Sequence, residues 1–145
     1  MKRVVMGILF LVVAASIAHA GFRVPPGVYR IGSLKDAKTR AKKTKRPITF
    51  VYTDVETTCP LCVDASLDAM KSLKLRTVVV YAHASNDRDS LPGIVQDALK
   101  SSESGRYIPK TVIVDADIKR VIAVIPYARE KRDRSKLFRA AMRKF

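Results

Sequence analysis

Tryptophan is absent from this 145-residue sequence, cysteine occurs only twice, and acidic residues are scarce beside basic ones. The lack of tryptophan excludes tryptophan stacking platforms and cages. Two cysteines cannot build a dense disulfide framework, and they supply only half of a four-cysteine zinc site. The 28 Lys and Arg residues outnumber the 13 Asp and Glu residues, which leaves a formal net charge of +15. This length supports one ordinary domain and excludes a large multidomain enzyme.

The first twenty residues have the three-part layout of a secretory signal. A basic pair at Lys2 and Arg3 precedes an uncharged stretch over 4–17 and an Ala-His-Ala sequence that ends at Ala20. Cleavage is expected after Ala20, leaving a domain of residues 21–145. A retained amino-terminal anchor is the alternative, but a membrane-crossing helix needs about 20 apolar residues and this stretch is shorter. Export, most simply to the periplasm, would place the cysteines in an oxidising compartment.

Hydrophobic periodicity divides the rest of the chain into alternating helices and strands. Helices are predicted over about 33–45, 59–73 and 91–99 and from 129 onward, and strands over 48–53, 77–82, 111–114 and 120–125. The first helix is expected to open with a capping box at Ser33, after an extended lead-in. Strands separated by helices predict parallel pairing, whereas the last two strands must form an antiparallel hairpin. The sum is an α/β domain with a mixed central sheet and helices on both faces.

Cys59-Pro60-Leu61-Cys62 lies where a buried strand gives way to a helix. Two cysteines three apart at the start of a helix share one face and can close a small disulfide. The helix amides and dipole favour the thiolate of Cys59, which is the nucleophilic form. Cys62, one turn further on, is expected to be more buried. We therefore expect Cys59 to attack a partner disulfide and Cys62 to resolve the mixed disulfide.

Two separate motifs in this chain resemble the thioredoxin family. One is the Cys59–Cys62 pair after the 48–53 strand, and the other is the segment 107–114, in which Ile108 and Pro109 resemble the family's cis-proline segment. The resemblance implies a thioredoxin-like fold and exchange of disulfides with protein thiols. It also implies that Pro109 shapes a substrate groove and that the Ile108 backbone binds an extended peptide. No cofactor is expected beyond the cysteine pair, although an unidentified redox partner must regenerate it.

The sequence departs from the usual thioredoxin pattern at several places. Thr58 stands where a Trp usually precedes the first Cys, and Pro60-Leu61 replaces Gly-Pro between the cysteines. Thioredoxins carry a buried acid in the strand before the motif, where it helps to move a proton from the resolving thiol. The 48–53 strand contains no carboxylate, which argues against efficient disulfide reduction. A proline directly after the first Cys is more similar to secreted oxidants and isomerases. Asp64 disfavours a neighbouring thiolate, so only a moderately acidic Cys59 is expected.

Other readings of these features remain open on the sequence. The chain is alternatively a thioredoxin-fold binding module whose disulfide is only structural and whose basic faces hold acidic envelope partners. Basic residues concentrate in 38–46 and 129–144, and they form solvated helix faces or attract anionic lipid headgroups, envelope polymers or acidic proteins. Export argues against nucleic acid as a partner. No metal site is expected, and His83 is either a polar strand-end residue or a proton shuttle.

Overall fold

The computed structural model describes residues 21–145, so the predicted signal segment and its cleavage point at Ala20 lie outside the described residues. Five strands form one sheet: β1 (Tyr29–Arg30), β2 (Ile48–Thr53), β3 (Val78–His83), β4 (Lys110–Val114) and β5 (Val121–Ile125). Four α-helices pack on it: α1 (Leu34–Thr44), α2 (Pro60–Leu73), α3 (Gly93–Lys100) and α4 (Lys131–Met142). Within the described residues, no helix combines the length and the apolar character needed to cross a membrane.

The sheet has the strand order β1-β3-β2-β4-β5 and mixes parallel with antiparallel pairs. β2 is central, running parallel to β3 on one side and antiparallel to β4 on the other. β4 and β5 form the antiparallel hairpin expected at the end of the chain. The predicted mixed sheet is therefore confirmed.

Helices cover both faces of the sheet, and the alternation of strand side chains decides which core each residue enters. Phe50 of β2 is buried in the layer beneath α1 and α3. The next residue, Val51, is buried in the layer beneath α2 and α4. Because β2 and β3 contribute to both layers, their sequences are almost continuously apolar.

Two local predictions in the amino-terminal region need correction. Tyr29 and Arg30 form an edge strand parallel to β3, although the sequence predicts only an extended lead-in there. The capping box at Ser33 is wrong. A short 3-10 turn over Ile31–Ser33 leads directly into α1, and Ser33 has φ −106° and ψ 24° with no side-chain cap hydrogen bond.

One edge of the sheet brings the two predicted motifs together. β2 ends there at Thr53, and Cys59 follows after a short loop. β4 begins at the same edge because its first residue, Lys110, lies opposite Tyr52, and Pro109 comes directly before it. The antiparallel pairing of β2 with β4 therefore brings residues 59–62 and 108–109 to the same end of the domain.

Candidate functional site

Cys59 is the N-cap residue of α2. Its backbone is extended (φ −81°, ψ 107°), and its Sγ accepts a hydrogen bond from the backbone N–H of Cys62 at 3.2 Å. Pro60 occupies the first turn, where its missing N–H costs no helical hydrogen bond. A sulfur therefore takes the position that Ser, Thr, Asp or Asn usually fills. The Cys62 amide in the first turn of the helix therefore points at the Cys59 sulfur.

The two thiols have opposite pKa shifts. Hydrogen bonds from the side chain and then the backbone N–H of Cys62 lower the pKa of Cys59 below its ordinary value of 9.0. Burial, followed by the hydrogen bond and negative charge of Cys59, raises the pKa of Cys62 to about 11. Both cysteines are free thiols and partly exposed. Cys59 is thus the more readily deprotonated thiol of the pair.

Exposed residues surround the Cys59 thiol. Thr58 and Pro60 are exposed, and Leu61 leaves 41% of its surface in solvent. A polypeptide can therefore approach the sulfur without displacing a packed side chain. Thr58 leaves this approach more open than a Trp at the same position would.

Pro109 packs behind the cysteine pair. It is buried, the Ile108–Pro109 peptide bond is cis, and Ile108 is half-buried. Pro109 lines a narrow crevice together with Ala65 and Ala69 of α2. Pro109 therefore lies against the helix that carries both cysteines, whereas Ile108 lines a separate crevice with Tyr52 and Leu99.

Tyr127 is a site residue that the sequence analysis missed. It lines the same crevice as Pro109 and Ala65, and burial, followed by the negative charges of Cys62 and Cys59, raises the pKa of its phenol. Its ring meets Tyr107 edge-on, with ring centroids 6.3 Å apart. Tyr107 itself is 70% exposed and forms an aromatic wall beside the site. A lone Tyr after a strand-ending Pro carries no recognisable signal in a single sequence.

Arg134 of α4 is buried, with only 3% of its surface exposed, and it joins α4 to α2. It forms ion pairs with Asp64 and with Asp68, the second at 2.6 Å. It also donates to the backbone carbonyls of Ala128 and Arg129. Burial alone would lower the pKa of this guanidinium, but its hydrogen bonds to Asp68 and Asp64 outweigh burial and raise it. The positive charge of Arg134 offsets the negative charge of Asp64. Asp64 therefore disfavours the Cys59 thiolate less than expected from the sequence.

A pair of hydroxyls links β2 to α2 in a strand that has no carboxylate. Ser66 Oγ donates to the Cys62 carbonyl at 2.6 Å and lies 2.7 Å from Thr53 Oγ1. A hydroxyl has one proton, so Thr53 must donate to Ser66. Both residues are fully buried. The resolving cysteine is therefore held by a neutral hydrogen-bond chain rather than by an acid.

His83 ends β3 in a cluster with Asp54 and Glu56, the one group of three potential metal ligands within residues 21–145. Its Nδ1 accepts a hydrogen bond from the Ser85 N–H at 3.2 Å. In a neutral imidazole the proton then resides on Nε2, which lies 3.3 Å from Asp54 Oδ1. A metal bound at Nε2 would displace that proton. In the neutral imidazole Nδ1 would then carry the proton and would face the Ser85 N–H, which is also a donor. The arrangement fits a polar strand-end residue better than a metal ligand.

No family model and no curated protein matches the sequence of the chain. Among solved structures, a chain titled DsbH Oxidoreductase aligns with a TM-score of 0.50 and 14% identity over 99% of this chain and 95% of that one. A disulphide isomerase from Xylella fastidiosa Temecula1 aligns with a TM-score of 0.52 and 16% identity over 77% of this chain and 88% of that one. The fold is thioredoxin-like. At these identities the likeness extends to the fold alone, which the sequence resemblance correctly implied.

Proposed function

We propose that this protein is an exported thiol–disulfide oxidoreductase that exchanges disulfides with protein thiols. The observation that carries the proposal is the asymmetry of the cysteine pair at the start of α2, with the pKa of Cys59 lowered and that of Cys62 raised to about 11. A purely structural disulfide needs no such asymmetry. The thioredoxin-like fold and the names of its structural neighbours agree with this activity.

The exchange uses the two thiols in sequence. The Cys59 thiolate attacks one sulfur of a substrate disulfide, the substrate S–S bond breaks, and the other substrate sulfur leaves as a thiolate. Cys62 then loses its proton and attacks Cys59 Sγ, which releases the second substrate thiol and forms the Cys59–Cys62 disulfide. In the opposite direction a substrate thiolate attacks the disulfide at Cys59, and Cys62 leaves. A partner of opposite redox state regenerates the pair after each cycle.

The hydrogen bonds to Cys59 favour the oxidising direction. They stabilise the thiolate, which exists only in the reduced protein, and a stabilised reduced form makes a disulfide a stronger oxidant. The hydroxyl chain through Ser66 and Thr53 offers no base for the Cys62 proton, which weakens the reducing direction. We therefore place the protein nearer to oxidants or isomerases, with the periplasm as its compartment.

The substrate surface consists of residues 107–109 and the exposed part of the cysteine motif. Leu61 and Tyr107 are two of the three large apolar side chains that are exposed in the described part of the chain. Leu61 belongs to the cysteine motif and Tyr107 directly precedes Ile108 and Pro109, which suits a site for apolar segments of unfolded polypeptides. The backbone of Ile108 supplies the hydrogen bonds for an extended strand of such a substrate.

The reduction potential of the Cys59–Cys62 pair tests this proposal. Residues 21–145 would be equilibrated in graded glutathione buffers and the free thiols counted by alkylation and mass spectrometry. We expect a value between about −120 and −270 mV, the range of thiol–disulfide enzymes, and nearer the less negative end. A value below about −300 mV is typical of structural disulfides and would instead favour the binding module.

Two single substitutions separate catalysis from binding. Cys59→Ser removes the nucleophile and should abolish exchange with a reduced, unfolded client. Cys62→Ser removes the resolving thiol and should accumulate a mixed disulfide on Cys59 that is visible by mass. If Cys59→Ser lowers only thermal stability and there is no exchange to lose, the oxidoreductase proposal is wrong.

A further inference from the structure

The end of the domain opposite the cysteines has a surface of its own. α2 starts at the cysteine motif and ends at Leu73, and its 14 residues span about 21 Å. Leu75 and Arg76 follow, and the Val78 N–H then bonds to the Pro47 carbonyl at 2.9 Å, where β2 and β3 begin. Leu75 is therefore separated from Cys59 by the whole length of α2. We name this surface the basic end and define it by Lys45, Arg46, Leu75, Arg76 and Phe145.

Leu75 is exposed with no packing role to explain it. It leaves 70% of its surface in solvent, and the other two large apolar side chains exposed in residues 21–145, Leu61 and Tyr107, lie in the two motif segments instead. It borders a shallow crevice that is lined by the residues of the basic end and by Pro47. Leu75 and the half-buried Phe145 are the apolar part of this surface, and the charges around them decide what it can bind.

Cations surround Leu75 and Phe145. Lys45, Arg46 and Arg76 are exposed, and the residues that line the crevice include no carboxylate side chain. None of the three takes part in a salt bridge in the described part of the chain. The last turns of α1, α2 and α4 add Lys43, Lys71 and Arg139, whereas Lys42 of α1 is paired with Asp117. A partner for this end must therefore be anionic.

From this arrangement we propose that the basic end docks the protein on an anionic phospholipid bilayer. A second copy of the chain is disfavoured because it would bring the same cations against each other. A protein partner would need a pocket to receive the projecting Leu75 as well as matching carboxylates, whereas a bilayer accepts a projecting side chain anywhere on its surface. Lys and Arg at the headgroup level with Leu and Phe at the acyl boundary is the usual pattern of interfacial binding.

Docking in this way turns the cysteines away from the bilayer. The exposed Cys59 then faces the aqueous compartment at a distance of roughly the length of α2. The proposal does not depend on the redox activity, because the two surfaces share no residue.

Vesicle co-sedimentation tests the proposal with residues 21–145. We expect binding to phosphatidylcholine vesicles that contain phosphatidylglycerol and none to pure phosphatidylcholine. Binding should fall steeply between about 0.1 and 1 M salt, as the Debye length shortens from about 10 to 3 Å. Failure to bind the anionic vesicles, or retention that ignores salt, would overturn it. Binding to soluble polyglutamate but not to the vesicles would assign the surface to an acidic protein instead.

Matched variants locate the binding surface. Each cation near an anionic membrane contributes about fivefold in affinity, so the double change Lys45→Glu and Arg76→Glu should weaken binding by about 25-fold or more. Arg129→Glu with Arg132→Glu makes the same charge change at two exposed positions at the start of α4 and should cost only a few-fold. Equal losses from both pairs would mean diffuse attraction by net charge, and the assignment to the basic end would be wrong.

Tryptophan reporters give an independent readout, because the protein has none of its own. Leu75→Trp should shift its fluorescence emission to shorter wavelength on phosphatidylglycerol vesicles. Tyr107→Trp, equally exposed at the opposite end, should keep its emission unchanged. A shift at position 107 but not at 75 would reverse the orientation and refute the proposal. Both positions are surface sites, so thermal unfolding should confirm that each variant folds.

Discussion

At the residue scale, Cys59 shows how one hydrogen-bonding position serves both folding and chemistry. The Cys62 N–H that bonds to its sulfur lies in the first turn of α2, where it also bonds to the Cys59 carbonyl at 3.0 Å. The bond to the sulfur becomes stronger when the sulfur carries negative charge, because charged acceptors form the stronger hydrogen bonds. Helix capping and thiolate stabilisation are therefore a single interaction, which is best measured by titration.

Alkylation against pH measures that interaction directly. In the reduced protein, the rate of reaction of Cys59 with iodoacetamide should rise with a midpoint below 9.0, while Cys62 should stay largely unreactive until the pH approaches about 11. Peptide mass spectrometry distinguishes the two sites. Cys62→Ala removes the thiol donor but keeps the backbone N–H, so the midpoint for Cys59 should move up towards 9.0. A wild-type midpoint at or above 9.0 would contradict the asymmetry.

Single residues of the site differ in how far the sequence could predict them. The positions of Cys59 and Pro60 follow from local rules, because the N-cap and first-turn preferences depend only on neighbours in the chain. Tyr127 could not be found in this way, since its place in the crevice beside Ala65 and Ala69 depends on β5 ending next to α2. The resemblance to thioredoxins names Pro109 as a candidate, and Pro109 lies beside Ala65 and Ala69 of α2, but the resemblance does not name Tyr127.

At the scale of elements, the contact between α2 and α4 depends on one buried guanidinium. Arg134 connects Asp64 and Asp68 of α2 to the carbonyls that precede α4. A buried Arg is tolerated when its donors are satisfied, and removing it leaves its partners uncompensated. The helix that carries the cysteines is therefore held from one side by Arg134 and from the other by the Thr53–Ser66 hydroxyls.

Replacing Arg134 should destabilise the fold strongly. We expect Arg134→Met to lower the free energy of unfolding by about 3 kcal/mol, because Asp68 and two carbonyls lose their donor. Arg134→Lys keeps the charge with fewer donors and should cost less. Arg132→Met, at an exposed position of the same helix, should change stability by less than about 0.5 kcal/mol. Urea denaturation followed by circular dichroism compares the three, and equal effects of Arg134→Met and Arg132→Met would refute the assignment.

Most helices and strands were predictable from the sequence, but the side-chain contacts that join them were not. The apolar run 48–53 and the periodicity of α2 and α3 indicate their structures directly, and the mixed sheet follows from their order. The two-residue strand β1 is too short for any period to register. Arg134 stands in a run of surface-like basic residues, and its acidic partners lie 66 and 70 residues earlier in the chain. Such a pairing has no local signature, so basic α4 residues appeared equivalent in the sequence.

At the scale of the whole molecule, the main feature is the excess of positive charge. Removal of the predicted signal segment with Lys2 and Arg3 lowers the formal net charge from +15 to +13. In the described residues, the Lys and Arg side chains that form salt bridges are Lys42, Arg134 and Lys136, a small minority of the cations. Self-repulsion of this kind destabilises a compact state, and salt screens it.

Moderate salt should therefore stabilise the domain. Between about 0.01 and 0.15 M NaCl the Debye length falls from about 30 to 8 Å, and we expect the melting temperature to rise by about 4 °C, equivalent to about 1 kcal/mol. Scanning calorimetry of residues 21–145 measures it. A variant with Lys35→Glu and Lys38→Glu should show a flatter dependence. A melting temperature that falls with salt would mean that attractive pairs such as Lys42–Asp117 outweigh the repulsion.

The distribution of the site along the chain has a consequence for its history in the cell. Cys59 and Cys62 belong to the first half of the polypeptide, whereas Pro109, Tyr127 and Arg134 belong to its last third. During synthesis or passage through an export channel, the cysteines emerge well before the residues that build the crevice behind them. An unfinished chain therefore has both thiols but neither the proline wall nor the guanidinium that positions α2. The proposed exchange activity should therefore require the final helix, and we expect an unfinished chain to lack it.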